Sequence, residues 1–167
     1  MGGHRDVIES LYRDFGPALF AYARSLLREA SSAEDVVHEV FLKLIARPGW
    51  LPVEPRPYLF RAVRNASLNR RRSVSREAGR PPEAPAFVAE DGLAALVPDL
   101  ERALADLPVE QCEVVMLRVW GGLTLEAAAE VAGVSPNTAA SRYRYGMARL
   151  RERFGMPVKE NTKASHG

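Results

Sequence analysis

The stretch LTLEAAAEVAGVSPNTAASRYRYGMARLR, residues 123–151, has the pattern of two short helices joined by a tight turn. Gly133 can take the positive φ that such a turn needs, Ser135 is a favourable N-cap, and Pro136 suits the first helical position. Small Ala129, four residues before Gly133, lets the two helices cross closely. This is the pattern of a helix-turn-helix, whose second helix enters the DNA major groove. An ordinary helical hairpin with a glycine turn is the alternative interpretation.

The second helix of this stretch has two different sides at 100° per residue. Its apolar side predicts a face towards a core: Ala139, Tyr143, Gly146, Met147, Leu150 and Phe154. Its outer side is small, polar and cationic, and no acidic residue follows Ser135 before Glu152. Base-edge contact is predicted for Asn137, Thr138, Ser141 and Arg144, with Tyr145 beside them and Arg142 and Arg149 nearer the phosphates.

The composition limits the classes of function. The chain has 167 residues, 47% of them hydrophobic, so one folded domain or two small ones are expected. A single cysteine, Cys112, excludes an internal disulfide, lies in an apolar helical pattern and is interpreted as an inert core residue. The histidines have no zinc-site spacing, and no catalytic constellation or phosphate loop is present. We therefore expect a protein with no enzymatic activity, metal or cofactor. Without a membrane span or a signal peptide, it is expected in the cytoplasm.

Charge is distributed in blocks. Residues 51–80 carry eight arginines against two glutamates, and residues 118–153 carry six basic residues against three acidic ones. Between them, residues 81–117 carry eight acidic residues and only Arg102. Two cationic zones separated by an acidic one favour two contacts with a polyanion. The alternative is that the charge blocks only solvate helix faces.

Apolar residues recur at three-to-four spacing, and alternating strand patterns are scarce, so the predicted fold class is all-α. Two small helical domains are expected, residues 1–73 and 99–154, joined by a flexible proline-containing linker at 74–98 and followed by a disordered tail at 155–167. Helices are predicted at about 7–28, 31–47, 58–72, 99–106, 109–119, 124–132 and 135–153.

The second predicted helix, SSAEDVVHEVFLKLIAR, has a polar exposed side. Ser31 and Glu34 have the spacing of a capping box. The predicted buried face is Val36, Val37, Val40, Phe41, Leu44 and Ile45. The predicted outer face includes Asp35, His38, Glu39 and Lys43.

The third predicted helix, YLFRAVRNASLNRRR, is rich in arginine and asparagine and follows a loop with four prolines at 47–57. Its predicted core residues are Leu59, Ala62, Val63 and Leu68. The residues predicted to lie on or beside its exposed side are Arg61, Arg64, Asn65, Asn69 and Arg72. Together with Trp50 in the loop, this surface suits single-stranded nucleic acid, whose bases stack on aromatic rings while arginines hold the backbone. Trp50 as a core residue of its own domain is the alternative.

Taken together, SAEDVVHEVFLKL, YLFRAVRNASLNRRR and the stretch from Leu107 to Arg151 resemble the bacterial sigma factors of the extracytoplasmic-function (ECF) type, in the order and spacing of that family. The resemblance implies that the N-terminal domain docks on the β′ clamp helices of core RNA polymerase through Asp35, His38, Glu39, Leu42 and Lys43. It also implies that the arginine-rich helix opens and reads the minus-ten promoter element. The C-terminal domain would read the minus-thirty-five element and contact the β flap.

The chain departs from the family pattern at several positions: Tyr58 for Trp, Asn69 for Asp, His38 for Gln, Cys112 for Arg, and Ala127 and Ala128 for Glu-Ile. The expected activity is recruitment of core polymerase to promoter DNA in the cytoplasm, at the nucleoid, with an anti-sigma factor as a further partner and no membrane insertion. Two alternatives are a stand-alone helix-turn-helix regulator and a sigma mimic that binds only an anti-sigma protein.

Overall fold

The structure is a computed structural model that describes residues 2–27, 29–79 and 98–157. Within these ranges the chain forms seven α-helices and no strand, which confirms the all-α fold class. The helices are α1 (Gly3–Leu26), α2 (Ala30–Ile45), α3 (Pro55–Ala78), α4 (Pro98–Ala105), α5 (Val109–Val119), α6 (Leu125–Ala132) and α7 (Pro136–Arg153). Most of the predicted linker, 80–97, and most of the predicted tail, 158–167, lie outside the described residues.

Helices α1, α2 and α3 pack against one another as an N-terminal three-helix bundle. The apolar stripe of each helix supplies the core, because residues three and four apart fall on one helical face. The ring of Tyr22 on α1 packs on Phe60 of α3, with centroids 5.5 Å apart. Fully buried members of this core include Leu19, Tyr22, Val36, Leu44, Leu59, Phe60 and Val63.

The C-terminal domain is built around α5, whose Met116 and Leu117 are completely buried. Helix α7 packs against both α5 and α6. Gly146 permits the close approach of α7, since a Cβ added there would lie 2.9 Å from Cγ2 of Val115.

The two domains are in direct contact: α1 packs against α5, and α3 packs against α6. Buried residues from both domains, among them Tyr22 and Leu104, belong to one continuous hydrophobic cluster. The arginine-bearing helix α3 is therefore placed beside the helix-turn-helix of α6 and α7.

Two details of α2 differ from the sequence-based expectations. The capping box at Ser31 and Glu34 is wrong: α2 begins at Ala30, and Ser32 Oγ donates to Oε2 of Glu29 at 2.9 Å. Ile45, predicted to be buried, is 43% exposed because it lies at the last position of α2, where the chain leaves the bundle.

Helix α3 is longer than the predicted 58–72 at both ends. It begins at Pro55, because proline is tolerated in the first turn, where no intrahelical N–H bond is lost. It ends after Ala78, where Gly79 takes φ +63° as a left-handed cap. Within α3, Ala62 and Leu68 are half-buried, whereas Phe60 and Ser67, which were not predicted, are buried.

Candidate nucleic-acid interface

The helix-turn-helix predicted at 123–151 is confirmed in its local geometry. Thr124 caps α6 by accepting a hydrogen bond from the N–H of Ala127 at 3.1 Å. Gly133 has φ +70° and ends α6. Ser135 then caps α7, its Oγ accepting from the N–H of Thr138 at 3.2 Å. Both helix starts are therefore satisfied by side chains, which fix the two ends of the turn.

The outer face of α7 carries the predicted DNA-reading residues. Asn137, Arg144, Tyr145 and Arg149 are exposed, and Thr138, Ser141 and Arg142 are half-exposed. The guanidinium of Arg144 lies 5.3 Å from the ring centroid of Tyr145. The Thr138 hydroxyl accepts a hydrogen bond from Ser135 Oγ at 2.9 Å, so it also belongs to the cap.

The core-facing side of α7 matches the prediction at most positions. Ala139, Gly146 and Leu150 are buried, and Tyr143 is half-buried beneath the Arg118 guanidinium, 5.4 Å from its ring centroid. Phe154 is the exception: it is 41% exposed because α7 ends at Arg153.

Trp50 lies in the loop before α3 with 41% of its surface exposed. Its ring meets Tyr58 edge-on, with centroids 5.4 Å apart, and the Arg47 guanidinium lies 5.6 Å from its ring centroid. The alternative interpretation of Trp50 as a core residue is therefore wrong. An indole fixed on one side and open on the other can accept a stacked base.

The polar residues of α3 divide into two groups. Asn65, Asn69 and Arg72 are exposed. Arg61 is also exposed, and its Nη2 lies 3.4 Å from Oε2 of Glu130 in the C-terminal domain. Arg64 lies beside the exposed side: its side chain is 23% exposed, because its Nε donates to Oε1 of Glu113 at 2.5 Å.

Glu113 is the centre of a buried polar group, here called the Glu113 cluster: Tyr22, Arg64 and Glu113. The Tyr22 hydroxyl donates to the same oxygen, Oε1, at 2.7 Å. Burial, and then the charge of Glu113, raise the pKa of Tyr22 well above its usual range. Burial alone would lower the pKa of Arg64, but its hydrogen bond and ion pair with Glu113 outweigh burial and raise it. Glu113 is thus a buried carboxylate that accepts from one neutral donor, the Tyr22 hydroxyl, and one cationic donor, the Arg64 guanidinium.

A further contact between the domains comes from Arg56 at the start of α3. Its Nη1 donates to the carbonyl oxygen of Gly121 at 2.8 Å, and its guanidinium lies 5.0 Å from the ring centroid of Phe15. Neither Arg56 nor Glu113 was predicted to have a role. For Glu113 a signal existed, since it is the one charge inside the apolar run from Cys112 to Leu117.

The predicted polymerase-docking residues share the outer side of α2. Asp35, His38, Glu39, Leu42 and Lys43 are all exposed, and Leu42 reaches 63%. Asp35 pairs with Arg70 of α3 at 3.2 Å, and Glu39 pairs with Lys43 at 2.7 Å. The His38 ring nitrogen Nε2 lies 3.1 Å from the Tyr12 hydroxyl. An apolar side chain surrounded by charges is a common composition for a protein-binding surface.

The other described residues that could act as metal ligands or as a reactive thiol form neither kind of site. Over residues 2–27, 29–79 and 98–157, no three His, Cys, Asp or Glu side chains are grouped so that they could hold a metal ion. Cys112 is buried, and desolvation, followed by the charge of Glu113, raises the pKa of its thiol to about 12. None of the described helices combines the length and apolar character needed to cross a bilayer.

Comparisons with known proteins agree with these features. Residues 11–77 match the Sigma-70 region 2 family, and residues 99–150 match the Sigma-70 region 4 family. The chain is 30% identical to the RNA polymerase sigma factor CarQ of Myxococcus xanthus over 160 residues, covering 92% of each chain. It is 28% identical to the ECF RNA polymerase sigma factor SigL of Mycobacterium tuberculosis over 156 residues, covering 87% of each.

Two solved structures share the architecture. The sigma factor RpoE of Bartonella quintana, in complex with the anti-sigma factor NepR, superposes with a TM-score of 0.68 at 27% identity, covering 88% of this chain and 96% of that one. CnrH, in complex with the cytosolic domain of CnrY, superposes with a TM-score of 0.62 at 25% identity, covering 92% and 91%. The chain belongs to the bacterial RNA polymerase sigma factors of the extracytoplasmic-function type.

Proposed function

We propose that this sigma factor divides promoter recognition between two surfaces. The domain at 1–73 docks on core polymerase through the outer side of α2 and captures unpaired minus-ten bases with α3 and Trp50. The domain at 99–154 reads the minus-thirty-five element with α7. The observation that carries this proposal is the outer face of α7, which is cationic, free of acids up to Glu152 and presented by a doubly capped turn.

At the upstream element, exposed Asn137 and Arg144 lie in the first turns of α7, where a recognition helix meets base edges. Arg142 and Arg149 lie on the flanks, where guanidinium groups meet phosphates. Thr138 and Ser141, both half-exposed, complete the surface, and Tyr145 supports Arg144.

At the melted element, Trp50 offers an open ring face, and Asn65, Asn69 and Arg72 line the exposed side of α3. Arg61 and Arg64 complete this surface once they are free of the C-terminal domain. Stacking on an aromatic ring contributes about 1–3 kcal/mol per base, which favours an unpaired strand over a duplex. The protein itself makes and breaks no bond: it acts by binding, at the nucleoid in the cytoplasm, and is not an enzyme.

An anti-sigma factor is a further proposed partner. The similar sigma factor RpoE is solved in complex with the anti-sigma factor NepR, and CnrH with the cytosolic domain of CnrY. The chain covers most of both proteins, so the surfaces that such partners use have counterparts here.

Run-off transcription with core polymerase on a library of genomic fragments tests the function. We expect transcripts from a small set of start sites, and gel shifts of duplex promoter only when core polymerase is present. Strong specific binding of duplex DNA by the protein alone would instead identify a stand-alone regulator. Failure to initiate anywhere, with binding only to an anti-sigma protein, would identify a sigma mimic.

A further inference from the structure

Arg118, in the last turn of α5, contacts both parts of the helix-turn-helix. Its Nη1 donates to the carbonyl oxygen of Leu123 at 2.7 Å, and its guanidinium lies over the ring of Tyr143, 5.4 Å from the centroid. Leu123 is the buried residue before Thr124, the N-cap of α6, and Tyr143 lies in the middle of α7. One side chain of α5 therefore joins the start of α6 to the middle of α7.

The ring of Tyr143 lies where α5, α6 and α7 meet. It is half-buried and packs against a small cluster with one buried residue from each of these helices: Val114, Ala129 and Ala139. A ring held in this way sets which side of α7 faces the interior of the domain. The rotation of α7 about its own axis therefore depends on how firmly Arg118 and the cluster hold the ring.

The contacts of Arg118 are not those of an optimal stabilising residue. Among the residues that the structure describes, its Nε is buried and has no hydrogen-bond partner. A buried donor left unpaired lowers stability, and such groups are rare in folded proteins. An apolar side chain of similar length would fill the same space without that cost. The arginine is therefore explained by the two groups that its guanidinium contacts.

We propose that Arg118 is a positioning residue for minus-thirty-five recognition, which fixes the rotation of α7 through the ring of Tyr143. This inference rests on the proposed role of α7. Tyr143 lies between Arg142 and Arg144 and two residues after Ser141, so a rotation of α7 moves all of them. Side chains lie about 5–6 Å from the axis of a helix, so a rotation of about 20° moves them by about 2 Å. A hydrogen bond to a base edge does not tolerate that displacement.

The expected consequence is a changed base preference, and not an equal loss of affinity for all promoters. A contact to a base edge needs one distance and one direction, because the donors and acceptors of each base have fixed positions in the groove. Contacts to phosphates position the protein and carry no sequence information, so those proposed for Arg142 and Arg149 affect all promoters alike. Loosening the hold on Tyr143 should therefore reduce discrimination between bases.

The first experiment measures transcription by the holoenzyme from two promoters in one tube: a promoter found by run-off transcription and a variant of it with one upstream base changed. The ratio of the two transcripts does not depend on how much protein is folded, so a purely structural role would leave it unchanged. We expect Arg118→Met to reduce discrimination about fivefold at one or two positions, the low end of the range for losing a base contact. Arg102→Met removes an exposed charge from α4 and is the matched control, with the wild-type ratio expected.

Variants of Tyr143 test the same route without changing Arg118. Tyr143→Leu removes the ring and should reduce discrimination at the same positions. The double variant with Arg118→Met should lose no more than Tyr143→Leu alone, because both changes act through one ring. Tyr143→Phe keeps an aromatic face for the guanidinium and should keep the wild-type ratio. Circular dichroism and urea unfolding check that each variant is folded at the assay temperature.

Three results would overturn the proposal. The first is an unchanged ratio in Arg118→Met. The second is additive losses in the double variant, because Arg118 would then act by a route that does not include Tyr143. The third is an equal loss in Tyr143→Phe and Tyr143→Leu, because the Tyr143 hydroxyl would then contact the DNA itself.

Asn137→Ala, measured in the same assay, separates a failure of this inference from a failure of the proposed function. If Asn137→Ala changes the base preference and Arg118→Met does not, the positioning role is wrong and base reading by α7 stands. If Asn137→Ala, Arg144→Ala and Arg118→Met all leave the preference unchanged, α7 does not read the upstream element, and the proposed function fails together with this inference.

Discussion

Ser135 is the N-cap of α7: its Oγ accepts from the N–H of Thr138 at 3.2 Å and donates to the Thr138 hydroxyl at 2.9 Å. We expect Ser135→Ala to lower the free energy of unfolding by ~1 kcal/mol, because the N–H of Thr138 loses its acceptor. Urea unfolding followed by circular dichroism measures the change. Ser135→Asn keeps a capping oxygen and should be close to the wild type; a loss as large as that of alanine would show that the cap is not the cause.

Asn137 is the outermost polar residue at the start of α7. We expect Asn137→Ala to change promoter choice at one or two upstream positions by ~1–3 kcal/mol each, the value of a bidentate contact to a base. Transcription competition between promoters that carry single upstream substitutions measures this. Arg149→Ala is the contrasting variant and should weaken all promoters alike. Unchanged base preference in Asn137→Ala would show that Asn137 does not read a base.

At the scale of elements, the C-terminal helices could be predicted to within one or two residues, because side chains that are readable in the sequence set their limits. Thr124 and Ser135 are caps, and Gly133 is the left-handed residue between them. The capping residue of α2 was predicted wrongly, because its N-cap, Glu29, makes no side-chain hydrogen bond to the helix and so leaves no capping signal in the sequence. Helix α3 was predicted too short because Pro55 and Pro57 were assigned to the preceding loop and residues 73–78 carry little periodic apolar content.

The charges that we propose for docking lie on α2 in exposed pairs, Asp35 with Arg70 and Glu39 with Lys43, each worth ~0–1 kcal/mol to stability. We therefore expect Asp35→Arg with Glu39→Arg to abolish association with core polymerase while thermal unfolding changes little. Co-purification with core enzyme measures the association. Glu9→Arg with Asp14→Arg, which reverses two exposed charges on α1, is the matched control. Normal co-purification of the α2 variant would contradict docking through α2.

The contact of α7 with α5 depends on Gly146. We expect Gly146→Ala to destabilise the protein by ~1 kcal/mol, because overpacking against buried Val115 costs ~1–3 kcal/mol. The gain in helix propensity, ~1 kcal/mol, offsets only part of that cost. Urea unfolding of Gly146→Ala, Val115→Ala and the double variant should show favourable coupling between the two changes. Additive effects would mean that the Cβ does not meet Val115.

At the scale of the whole molecule, the contact between the domains could not be predicted from the sequence. Glu113 meets Tyr22 and Arg64 across 91 and 49 residues of chain, and no local pattern records such a pairing. The pairing of Arg64 with Glu113 was not predicted for the same reason: helical periodicity reports which face of a helix is polar, and not whether a second domain covers part of that face. The presence of two domains could be predicted from the sequence because each has its own apolar periodicity.

The buried contact should make the protein sensitive to alkali. Burial raises the pKa of Cys112 from 9.0 to about 12 and that of Tyr22 well above 10.0. At a pH between the ordinary pKa of each group and its raised pKa, the unfolded chain binds fewer protons than the folded one. The contribution of these groups to the free energy of unfolding is therefore fully present below pH 9 and falls as the pH rises.

Urea unfolding at pH 8 and pH 10.5 should show a loss of about 1–2 kcal/mol from Cys112 alone. Cys112→Ala removes the loss that is due to Cys112, so the free energy of unfolding of this variant should depend less on pH. The loss that is due to Tyr22 remains. Parallel profiles for the wild type and Cys112→Ala would contradict the assignment.

The surroundings of Trp50 have a practical consequence. The chain has two tryptophans, and they fall one in each domain: Trp50 is open to solvent before α3, and Trp120 is half-buried after α5. A nucleobase stacked on Trp50 would quench its emission, whereas Trp120 would go on emitting as an internal reference. Capture of a single strand by the protein without polymerase should therefore be visible in real time through its intrinsic fluorescence, with no dye attached.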